Sequence, residues 1–83
     1  FMYILKSLKD AKLYIGFTSD LKKRLKEHNS GLVKSTKPRM PFKLVYFEGY
    51  AVEEEAKHRE HNLKLRARAL RQLLNRIKKS IAS

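Results

Sequence analysis

The sequence predicts an α+β fold: a small three-stranded antiparallel sheet flanked by helices, in the order β-β-α-β-α-α. Three observations predict it. Two aromatic and β-branched stretches near the start are separated by a short polar segment. A third such stretch follows a basic loop containing Pro38 and Pro41. Beyond Gly49 the chain holds no proline or glycine and keeps a helical apolar period to its end.

The elements follow in order. Phe1 to Leu8 and Lys12 to Thr18 read as strands, and Ser7-Leu8-Lys9-Asp10-Ala11-Lys12 between them is polar enough for a turn. A β-hairpin sets Tyr3 and Tyr14 on neighbouring strands, where cross-strand side chains approach each other. Ser19-Asp20 is a helix start, with either residue as N-cap. Leu21, Leu25 and His28 then fall at i, i+4 and i+7, and Gly31 stands where a C-terminal cap belongs, so a helix is expected from about Asp20 to Ser30. Leu32 to Pro41 is a basic loop whose prolines argue against a regular element. Phe42 to Tyr50 is the third strand, with Gly49 expected to mark a bend or bulge near its end. From Glu53 to Ala82, Val52, Ala56, Glu60, Leu63, Ala67, Leu70 and Leu74 keep a helical period. Two packed helices with a break near Leu65 to Arg68 suit a compact domain better than one long helix.

The 83 residues fit one domain, spanning 1–83, with a modest core. Twenty Lys and Arg against eight Asp and Glu give a net charge of +12, which attracts polyanions. The charges are interleaved with Leu, Ile, Val and Tyr, so a folded basic domain is expected rather than a basic tail. With no cysteine, disulfides and thiolate metal sites are excluded, and any metal must be held by oxygen or histidine. No segment approaches the ~20 apolar residues needed to cross a bilayer, so no membrane partner is expected and a cytoplasmic location is the default, nucleoid-associated if the protein is bacterial.

Five residues carry candidate chemistry. Glu60 lies within the apolar stripe of its helix, four residues after Ala56 and three before Leu63. A carboxylate there costs free energy unless it is paired or binds a cation. The bland reading is a rim position, or pairing with Arg59 or Lys64. Arg24 and His28 share a helix face at i,i+4. Taken singly, Arg24 is a solvated base among Lys22, Lys23 and Lys26, and His28 is a helix C-terminal histidine favoured by the macrodipole. Tyr3 and Tyr14 taken singly are ordinary strand residues. Their joint order carries the weight: two phenols, a guanidinium and an imidazole are equipment for a phosphate.

With these residues in place, the chain resembles the GIY-YIG nuclease superfamily. The matching segments are Tyr3-Ile4-Leu5, Tyr14-Ile15-Gly16, Asp20 through Gly31, Lys34-Ser35-Thr36-Lys37 through Glu48, and Glu55 through Glu60. It looks closest to small single-domain proteins related to the N-terminal nuclease domain of the bacterial excision-repair enzyme UvrC. The resemblance implies a metal-dependent DNA endonuclease site. In it Glu60 matches the metal-binding glutamate, Tyr3 and Tyr14 the signature tyrosines, Arg24 the phosphate contact, and His28 a position held by tyrosine or histidine. Gly16 matches the glycine that keeps the second strand bare beside the site. One divalent ion, Mg2+ or Mn2+, is the implied cofactor. Which of Tyr3, Tyr14 and His28 handles the proton is left open, with His28 a candidate relay. Of the first signature only Tyr3 is retained, Phe17 stands where some relatives place a lysine, and Asn75 and Asn62 are alternative counterparts of a late asparagine.

The basic residues Lys34, Lys37, Arg39, Lys64 and Arg66 are candidate phosphate contacts, which fix position without reading sequence. The substrate expected is DNA, recognised by structure or with weak sequence preference (branched, damaged or single-stranded), in repair or recombination, with a protein partner to aid targeting. The alternative is a non-catalytic nucleic-acid-binding module that keeps the fold. All five residues being present favours the enzyme.

Overall fold

A computed structural model describes all residues, 1–83. The sheet has the order β2-β1-β3, built from β1 (Met2–Ser7), β2 (Leu13–Phe17) and β3 (Phe42–Glu48), all antiparallel. The expected β-hairpin forms, and the later strand adds to the other edge of β1. As the central strand, β1 is covered on both faces, which explains its nearly continuous burial. Met2 and Ile4 point to one side with Ile15, against Leu63, Leu73 and Ile77 of the C-terminal helices. Tyr3 and Leu5 point to the other with Phe42, against Tyr14, Leu21, Leu25 and Leu44. The period of two along a strand thus divides one short run between two cores.

Helix α1 (Leu21–Asn29) begins where Asp20 Oδ1 accepts the Lys23 N–H at 3.0 Å. It ends with Gly31 at φ +74°, a conformation a β-carbon would strain, while Leu32 N–H returns to Glu27 O at 3.1 Å. Asn29 ties this end to the sheet. Its side-chain amide donates to Phe42 O at 3.0 Å and its carbonyl accepts Phe42 N–H at 2.6 Å, so it mimics a neighbouring strand.

Helix α2 (Glu53–Leu65) opens on three glutamates, which suit the positive end of the helix dipole. The chain breaks at Arg66, extended at φ −116°, ψ 95°, before α3 (Ala67–Arg76). The break falls within the expected segment. Neither glycine nor proline makes it; the turn lets Leu63 and Leu73 reach the same core.

Three details depart from expectation. The loop expected to lack regular structure carries a 3₁₀ turn at Lys37–Arg39, because Pro38 suits the first turn of a helix whose N–H groups have no partner. The irregularity of β3 lies at Val45, between the Ile4–Tyr46 and Leu5–Leu44 pairs, rather than at Gly49. A further short helix, α4 (Lys78–Ala82), follows α3, where Ile77 turns into the core.

Candidate active site

The site is built around Tyr3, on the α1 side of the central strand. Tyr3 is 1% exposed and lies directly across from Gly16. A β-carbon on residue 16 would sit 2.5 Å from the phenol oxygen, so the Tyr3 ring occupies the space where a side chain would stand. Tyr14 is the diagonal neighbour, its ring centroid 6.4 Å from that of Tyr3.

His28 fills the space between the two phenols and α1. It is fully buried, with ring centroids 5.9 Å from Tyr3, 5.1 Å from Tyr14 and 5.8 Å from Phe42. Its Nε2 is 2.9 Å from the Tyr3 hydroxyl and its Nδ1 is 2.8 Å from Thr36 Oγ1. Burial first, and then the Arg24 charge, push its pKa below the usual histidine value, with Glu27 opposing. His28 thus lies in the last turn of α1 as a buried imidazole with both nitrogens partnered.

Arg24 stands one turn before His28 and reaches the outer side of the Tyr3 oxygen. Burial raises the Tyr3 pKa, and the nearby Arg24 guanidinium works against that shift. The Tyr3 contact is the main influence raising the Arg24 pKa. The guanidinium also pairs with Glu27 at 3.2 Å. This i,i+3 pair is surface-exposed and weak. Beside Arg24 opens a cleft of about 430 Å³ lined by Thr18, Asp20, Lys23, Glu27 and Glu53.

Glu60 approaches from α2, which packs along β2. Its Oε2 lies 3.4 Å from Lys64 Nζ, and Lys64 stands 5.7 Å from the centroid of the Tyr14 ring. Of the two partners expected for Glu60, Lys64 is the one used. Arg59 turns the other way and grips Glu48. The negative charge of Glu60 also contributes to raising the Tyr3 pKa. Tyr3, Tyr14, Arg24, His28, Gly16 and Glu60 therefore share one neighbourhood.

The outer basic residues divide. Lys34, Lys37 and Arg66 are exposed. Arg39 pairs with Asp10 at 3.1 Å, donates to Leu13 O and lies over the Phe42 ring, which makes it a brace between the β1–β2 turn and the loop. Asn75 lines a cleft with Arg59, Gln72 and Arg76, beside the Glu48 cluster. Sequence reasoning missed Thr36 and Asn29, which lie in polar stretches with nothing local to separate them from loop residues.

No three His, Cys, Asp or Glu side chains converge for a metal. Glu60 alone still fits Mg2+ or Mn2+, since such ions keep several waters and take one or two protein carboxylates together with substrate phosphate oxygens. No helix is long and apolar enough to cross a membrane.

Comparisons with known proteins identify the family. The family described as the GIY-YIG catalytic domain matches residues 1–75. A UPF0213 protein of Clostridium perfringens is 49% identical over 65 residues, covering 77% of this chain and 69% of its own. One from Streptococcus pneumoniae is 45% identical over 69 residues, covering 82% and 69%. One from Haloquadratum walsbyi is 41% identical over 66 residues, covering 78% and 74%. No solved structure matches significantly. The chain belongs to the GIY-YIG catalytic domain family, a family of nucleases that typically use divalent metals.

Proposed function

We propose that the protein is a divalent-metal-dependent endonuclease that hydrolyses DNA phosphodiester bonds, with selectivity for structure rather than sequence. The reading is supported most by Arg24, a guanidinium braced by Tyr3 on one side and open to a cleft on the other. The net charge of +12 supports a polyanionic substrate. Branched, damaged or single-stranded DNA in repair or recombination suits a chain whose exposed bases, Lys34, Lys37 and Arg66, are suited to phosphates rather than base edges.

Each residue has a part in the proposed reaction. Arg24 donates to the non-bridging oxygens of the scissile phosphate and stabilises the charge that builds there. Tyr14, half-buried at the edge of the site, accepts a hydrogen bond from the attacking water and orients it. Tyr3, sealed behind Gly16 and His28, positions Arg24 and does not meet substrate. Glu60 would hold Mg2+ or Mn2+, which when bound supplies Lewis-acid stabilisation of the phosphoryl and leaving oxygens. The water oxygen adds to phosphorus and gives up a proton to solvent, the bond to the leaving sugar oxygen breaks, and that oxygen takes up a proton from solvent, so that one water is consumed.

A second reading is favoured by one observation. Lys64 already pairs with Glu60 and competes with a cation for it. A module that binds nucleic acid without cutting would keep that pair. Incubation with branched, single-stranded and duplex DNA in Mg2+ or Mn2+ separates the two. The enzyme nicks at least one substrate, and Glu60→Ala abolishes nicking while binding persists. No cleavage with any metal, together with salt-sensitive binding, would sink the catalytic reading.

A further inference from the structure

Behind Tyr3 runs a row of buried polar groups: Tyr3, His28 and Thr36, exposed by 1%, 0% and 1%. All are partnered, and no buried side-chain polar atom is left unsatisfied. At its inner end the row meets the Val33 carbonyl, which only accepts. Thr36 Oγ1 donates to it at 3.3 Å, and the same carbonyl accepts the N–H groups of Thr36 and Lys37. With its own proton so placed, Thr36 Oγ1 accepts from His28 Nδ1–H at 2.8 Å. Burial favours the uncharged imidazole, so Nε2 holds a lone pair and the Tyr3 hydroxyl, 2.9 Å away, donates to it.

We propose that Thr36 is a positioning residue that selects the Nδ1–H tautomer of His28. Through it Thr36 turns the Tyr3 hydroxyl inward, so that the phenol lone pairs face Arg24. The effect crosses two hydrogen bonds, Thr36 to His28 and His28 to Tyr3, and reaches the phenol beside Arg24 from a loop residue away from the substrate. A Tyr3 hydroxyl proton turned outward would face the Arg24 donors and leave the guanidinium no lone pair on that side. Nearby cations do not confuse the assignment, because Lys34 and Lys37 are exposed while the row itself is closed. The consequence for catalysis rests on the nuclease reading; the tautomer does not.

The experiment is 15N NMR of the histidine ring and arginine side chains in the wild type, Thr36→Val and Thr36→Ser, with cleavage assays on the same samples. The wild type should show a pyridine-like Nε2 and a protonated Nδ1. Thr36→Val should move His28 to the Nε2–H tautomer or a mixture and shift the Arg24 Nε–H resonance, and Thr36→Ser should restore both. An Nε2–H tautomer in the wild type overturns the proposal, even if Thr36→Val fails to fold, and so does a folded Thr36→Val with wild-type spectra. In cleavage, Thr36→Val should lose about tenfold in kcat/KM with an unchanged DNA dissociation constant, the scale of a supporting-shell residue. Unchanged cleavage in that variant overturns the link to Arg24. A wild type that never cleaves sinks the nuclease reading alone, since the spectra still decide the role of Thr36.

Discussion

Two clusters in this protein use nearly the same residues to opposite ends. On the α1 side, Tyr3 and Tyr14 stand with Arg24 and His28. At the end of β3, Tyr46 and Tyr50 stand with Arg59 and Glu48. In the second cluster Arg59 Nε and Nη2 donate to the two oxygens of Glu48 at 2.9 and 3.2 Å, and both phenols donate to the same carboxylate at 2.8 and 2.6 Å. Burial works against the charged Glu48, yet Arg59 and the phenols hold its pKa below the ordinary value. Burial and that same carboxylate push Tyr50 up to about 12. Glu48 thus holds the guanidinium through two parallel hydrogen bonds. In the first cluster the imidazole of His28 stands between the phenols, and Arg24 meets its only carboxylate, Glu27, through one nitrogen at 3.2 Å, which leaves donors for an anion. The two clusters differ in how the arginine is held: bidentate for Arg59, through a single nitrogen for Arg24.

That contrast can be broken experimentally, and the largest effect is expected at Arg24. Arg24→Ala should lower cleavage by about 100-fold or more, the scale of one lost transition-state donor, with little change in unfolding free energy. A loss of stability without a loss of rate would make Arg24 the structural arginine. Arg59→Ala should show the reverse. Stranding Glu48 in a half-buried position should cost about 1–2 kcal/mol, below the value for a fully buried pair because both groups retain some exposure. Urea unfolding of the variant measures it, and cleavage per folded molecule should stay at the wild-type level.

Acidification should strike the clusters in different windows. His28 has a folded-state pKa below its ordinary value of 6.5, so its stabilising effect is complete above that pH and declines as pH falls and the unfolded chain binds the extra proton. Arg24 strengthens this loss and Glu27 opposes it. Glu48 is likewise depressed below 4.5, so its contribution persists until lower pH. Unfolding free energies at pH 7.5, 5.5 and 4 should fall in two steps, and His28→Gln should flatten only the first. The smallest effect belongs to the exposed loop. Lys34→Ala should weaken DNA binding uniformly across sequences and reduce the logarithmic salt slope by about 1, without touching either cluster.

Much of this architecture was legible in the amino-acid order because it rests on local periodicity. The strands, the Asp20 cap, Gly31 and the break near Arg66 all come from spacing and turn chemistry. So does the sharing of one helix face by Arg24 and His28. Gly16 was legible as a bare position, although its reason, the Tyr3 ring lying across it, was not. What escaped are the long-range polar contacts. Glu60 had two candidate partners in sequence, Arg59 and Lys64, and only the tertiary structure gave Arg59 to Glu48 and Lys64 to Glu60. Asn29 and Thr36 are common surface residue types, and nothing in their neighbours marks one as a strand mimic and the other as the acceptor for a buried histidine.

By itself the sequence determined the element order and named the residues of the candidate site, because hydrophobic period and turn residues act over a few positions. Only the tertiary structure decided which polar groups are sealed from water and which way their protons point. Burial, and the obligation of every buried donor to find an acceptor, arise when α1, the Thr36 loop and the sheet close on one another. There Tyr3 became the inner phenol, Tyr14 the outer one, and His28 a buried strut with both nitrogens partnered.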